Sequence, residues 1–122
     1  MLVQRSPHVA YARVEFDARV AGAGAAELVA LCFERLATSL DTALFAHRRQ
    51  DNGGRSAALT KALAAVTALQ LGVDAAGPVG RSLKILYDGA RQTLLASALG
   101  FDVAALTRLR TDFAEVAEGL RG

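Results

Sequence analysis

Two histidines, one cysteine and an adjacent pair of arginines are the most chemically capable side chains of this 122-residue sequence. Covalent catalysis would need the Cys32 thiol activated by a neighbouring base. No histidine lies a helical turn away from it, and Leu31 and Phe33 flank it. Cys32 therefore reads as a small apolar core residue, without an internal disulfide partner. His8 lies near the start and His47 beside Arg48 and Arg49. Both read as exposed or partly exposed polar residues rather than general bases. No His, Cys or carboxylate cluster has metal-ligand spacing, and no inward carboxylate stripe suggests a di-iron bundle. Gly22-Ala23-Gly24 at a helix start could offer amides to an anion. No Lys-Ser or Lys-Thr follows, so the stretch reads as an ordinary junction. These residues predict no enzyme, no metal and no cofactor.

Composition narrows the class. Apolar residues make up 52% of the chain and the formal charge is +2, which suits a folded globular protein. Apart from Arg48-Arg49 the basic residues are scattered. Nucleic-acid binding requires several phosphates to be neutralised together, so it is not expected. No apolar run approaches the roughly 18 residues that suggest a membrane span, and no signal-peptide pattern begins the chain. Membrane insertion is not expected, and a cytoplasmic location is the default.

The elements that would position these side chains follow from periodicity. Within 1–20, Val14, Phe16, Ala18 and Val20 alternate with Glu15, Asp17 and Arg19, the period of an extended segment with one apolar edge. The reading is an N-terminal arm at 1–20 followed by a helical bundle domain at 21–122. Over about 25–47, Val29, Phe33, Leu36, Leu40 and Leu44 recur at helical spacing. Residues 50–54 read as a loop, with Ser56 the expected N-cap of a second helix over about 56–71 carrying Leu59, Leu63, Val66 and Leu69. Gly77-Pro78 breaks it.

A third helix over about 79–99 shows Val79, Leu83, Leu86, Ala90 and Leu94 on one side, with Ile85, Leu95 and Leu99 as a second apolar edge. A stripe that wide implies two neighbours, or one neighbour and a ligand chain. Asp102 reads as the N-cap of a fourth helix, Phe101 as a staple onto Leu106, and Leu109, Phe113, Val116 and Leu120 continue the seam. Helices joined by short connections bury such stripes by packing antiparallel. The expected fold is all-α: an antiparallel up-down four-helix bundle with an extended N-terminal arm.

The order of motifs resembles a known family. A Tyr-x-x-Val arm at 11–14 leads to Glu-Leu-Val-Ala-Leu-Cys-Phe-Glu at 27–34, then Leu-Gln-Leu-Gly-Val-Asp at 69–74 and Leu-Lys-Ile-Leu-Tyr-Asp at 83–88. The chain is similar in these respects to the flagellin export chaperones of the FliS family. The resemblance implies a chaperone that holds the C-terminal segment of flagellin in the cytoplasm, prevents premature polymerisation and helps deliver it to the flagellar type III export apparatus through a gate component. It also implies that the N-terminal arm can cover part of the binding surface.

Tyr11 matches the family's N-terminal Tyr and Tyr87 its Leu-Tyr motif; Val14, Phe16, Val66, Leu69, Val73 and Leu83 complete the expected partner-binding set. The alternative is a structural or regulatory bundle whose surplus apolar surface closes a homodimer.

Overall fold

The computed structural model describes residues 24–74 and 76–121. The described residues form α1 (Ala25–Arg48), α2 (Asn52–Gly72), α3 (Pro78–Leu99) and α4 (Val103–Arg121). The arm expected at 1–20, with Tyr11, Val14 and Phe16, lies outside the described residues. Two compact units divide the chain, Met1–Leu31 and Cys32–Gly122. The described part of the first is the opening of α1, where the Gly24 carbonyl accepts from the Leu28 N–H at 2.9 Å.

Each helix boundary has a local cause. At the end of α1, the Gln50 N–H donates to the His47 carbonyl (3.0 Å) and the Asp51 N–H to the Ala46 carbonyl (2.9 Å). This paired stop requires a left-handed residue between helix and exit. Gln50 fills that place with φ 57°. The Asp51 carboxylate then accepts from the Gly54 N–H at 2.9 Å, and α2 begins at Asn52. The loop expected at 50–54 is thus largely helix, and the N-cap is Asp51 rather than Ser56. The cap offsets the poor helix propensity of Gly53 and Gly54. A Cβ on Gly54 would collide with the Asp51 carboxylate, so the cap itself favours glycine there.

Gly77 and Pro78 start α3 with proline in its first turn, where a missing N–H costs nothing. Asp102 caps α4 as expected, Oδ1 accepting from the Ala105 N–H at 3.0 Å.

The packing gives the helix directions. Gln70 donates to Asp88 and Arg91 to Thr67, each at 2.9 Å, so α2 and α3 run antiparallel. Phe33 meets Tyr87 with ring centroids 6.2 Å apart, and His47 near the end of α1 meets Phe101, two residues past the end of α3, at 4.4 Å. Helices α1 and α3 therefore run parallel. Arg110 of α4 pairs with Asp41 of α1 at 3.1 Å, and Phe33 contacts Phe113 at 5.3 Å. The result is an all-α four-helix bundle.

Its core joins Cys32, Phe33, Leu36 and Leu40 of α1 to Leu59, Val66 and Leu69 of α2, Tyr87 and Leu94 of α3, and Leu106, Leu109 and Phe113 of α4. Each large apolar side chain so enclosed contributes about 1.5–3 kcal/mol. Phe101 packs against the same cluster. Three expected core positions differ: Val29, Val79 and Leu120 are exposed; Val79 lies in the first turn of α3 and Leu120 in the last turn of α4.

Candidate functional site

Helix α3 is apolar on two sides, and only one is used for folding. Its inner side buries Tyr87, Ala90 and Leu94, with Leu83 and Leu86 half-buried beside them. On the opposite side Ile85 is 74% exposed, Leu95 45% and Leu99 95%. Ile85, Gln92 and Leu99 recur every seventh residue, with Leu95 and Ala96 between the last two. Residues seven apart lie nearly above one another on a helix. Large apolar side chains thus stand at both ends of the outward face, Ile85 at one and Leu95 and Leu99 at the other, with Gly89 and Gln92 between them. Val103 at the start of α4 is exposed as well.

Polar contacts fix one edge of this stripe. The Asp88 carboxylate accepts from Lys84 Nζ at 2.7 Å and from Gln70 Nε2 at 2.9 Å. The bond from Lys84, followed by that from Gln70, holds its pKa below the ordinary carboxylate value. Arg91 reaches back to the Thr67 hydroxyl. These bonds tie α3 to α2 and hold the outward face in register with the bundle.

Behind the stripe lies the aromatic core. The rings of Phe33, Tyr87 and Phe113 meet at 5.3–6.2 Å. Burial raises the pKa of Tyr87, with a smaller contribution from Cys32, and burial raises that of the Cys32 thiol. Both groups stay protonated and inert at neutral pH. The described residues contain no group of three metal-ligating side chains, and no described helix is long and apolar enough to cross a membrane.

The expected site residues separate on this framework. Val66, Leu69 and Tyr87 are 0%, 3% and 2% exposed, so a partner could touch them only if the helices parted. Val73 and Leu83 are half-buried at the rim. Tyr11, Val14 and Phe16 lie outside the described residues. Val29, Phe45, Leu71, Val79, Val103 and Leu120 are exposed elsewhere among the described residues, while the accessible large apolar side chains on the outward side of α3 are those of Ile85, Leu95 and Leu99. Their signal was the second edge of the helix 3 pattern, whereas the motif match points to the inward residues alongside.

A family model described as flagellar protein FliS matches residues 7–121. The chain belongs to the FliS family. The match covers the whole bundle, α3 and its outward face included. No curated protein matches the chain significantly. FliS is a chaperone family rather than an enzyme family, and membership implies a flagellar chaperone role with flagellin as partner.

Proposed function

We propose that this chain acts in the cytoplasm, binds the C-terminal segment of flagellin, keeps it from polymerising and carries it to a component of the flagellar export gate. The supporting observation is the outward stripe of α3. An amphipathic client helix lays its apolar face on such a surface at i, i+3, i+4 and i+7 positions, the spacing that Ile85, Gln92, Leu95, Ala96 and Leu99 present. Large side chains left in water are costly unless something covers them. Leu99 and Ile85, nearly free in the isolated chain, have most of their burial still to gain. Val73 and Leu83 extend the surface at its rim. Tyr11, Val14 and Phe16 are assigned contacts with the client or the export gate, as the family resemblance implies.

The reading is tested by mixing the chain with full-length flagellin and with flagellin lacking its C-terminal segment, followed by size-exclusion chromatography with light scattering. Binding predicts a one-to-one complex with the first and none with the second. A stable homodimer that ignores both flagellins would contradict the proposal and favour a bundle that uses the stripe to pair with itself.

A further inference from the structure

Three arginines lie where α1 ends and α2 begins, in two groups: Arg48 and Arg49 beside Phe45, and Arg55 beside His47 and Phe101. The α3–α4 turn reaches the second group, where Phe101 stacks on His47. Among the described residues no carboxylate lies within ion-pair distance of any of the three. The two acidic residues at this end are already occupied, Asp51 capping α2 and Asp102 capping α4.

Each guanidinium is seated on an aromatic ring instead. Arg48 and Arg49 lie 5.7 and 5.5 Å from the centre of the Phe45 ring. Arg55 lies 5.1 Å from that of Phe101, with its Nη1 2.9 Å from His47 Nδ1. Stacking fixes the plane of a guanidinium and leaves its edge N–H groups available. Those edges match a carboxylate, which takes two of them in parallel. The C-terminal dipole of α1 supplies only roughly half a negative charge against the three cations. Phe45 is itself 51% exposed between its two arginines, so an apolar ligand atom has a place among the charges.

We infer that this end of the bundle is a docking platform for an acidic peptide segment of a partner protein, one that carries an apolar residue among its carboxylates. The platform is distinct from the outward face of α3 and does not depend on flagellin being the client there. Three guanidiniums make a small footprint for nucleic acid, whose affinity grows with the number of phosphates neutralised.

The test uses the full chain and a short fluorescein-labelled peptide in which Asp and Glu alternate with Leu and Phe. Its counterpart carries Asn and Gln at the acidic positions. Fluorescence anisotropy should show binding of the acidic peptide only, weakening as salt is raised. The double variant Arg48→Gln/Arg49→Gln removes two exposed charges, so it should melt like the parent and bind at least about tenfold more weakly. Equal binding of the neutral peptide would overturn the inference, as would unchanged affinity in the double variant. Tighter binding of a single-stranded oligonucleotide of equal charge would overturn it as well.

Discussion

Leu94 and Leu99 sit on the same helix and differ mainly in what surrounds them: Leu94 is 2% exposed and Leu99 95%. Replacing each with alanine removes the same atoms. At Leu94 the loss opens a cavity beside the aromatic core, which costs about 2–5 kcal/mol. A domain of this kind has about 5–15 kcal/mol in total, so much of its stability goes. At Leu99 the removed atoms already face water, and alanine is the better helix former. The expected change there is within about 0.5 kcal/mol of zero. Urea unfolding followed by circular dichroism measures both. The two midpoints should differ by the equivalent of at least about 2 kcal/mol, with an unchanged slope. A loss above about 1 kcal/mol for Leu99→Ala would mean that something covers this face in the free chain. The reasoning about α3 would then be refuted.

Other substitutions test the local accounts. Gln50 holds a left-handed conformation that costs an ordinary residue about 1–2 kcal/mol, so Gln50→Gly should raise the melting temperature measurably. Asp51→Ala and Asp102→Ala should each destabilise by about 1 kcal/mol through loss of a cap, read from chemical denaturation. Among the described residues the buried Ser97 hydroxyl has no hydrogen-bond partner; Ser97→Ala should stabilise by about 1 kcal/mol in the same assay.

Alkaline pH probes the core directly. Burial raises the Cys32 thiol above its ordinary 9.0 and the Tyr87 phenol above its ordinary 10.0, so the unfolded chain loses these protons first. Their contribution is complete below about pH 9 and declines as pH rises through the unfolded-state values and on to the folded ones. Cys32→Ala and Tyr87→Phe should flatten that decline in pH-dependent melts, and an unaltered profile in both would contradict it.

Much of this fold could be read in the sequence because burial and helical period agree there. Leu36, Leu40, Leu59, Leu94, Leu106 and Phe113 are spaced for one face, and all are buried. The start of α2 was hidden because Gly53 and Gly54 have poor helix propensity, whereas the Asp51 cap that offsets it acts through a single side-chain hydrogen bond. Val79 fits the inner periodicity but lies in the first turn of α3, where it stays exposed. The site was half legible. Ile85, Leu95 and Leu99 stood out as a surplus edge, but periodicity alone does not say which of two apolar edges faces the core. Motif similarity favoured Leu69 and Tyr87, and helical periodicity Val66; all three are interior.

The most direct measurement is calorimetric titration of a flagellin C-terminal segment into the parent chain and into Ile85→Gln/Leu99→Gln. Full burial of each side chain is worth about 1.5–3 kcal/mol, so the double variant should bind at least about 100-fold more weakly while unfolding at the same urea concentration. Equal affinity in the two proteins would contradict the assignment of the client to the outward face of α3.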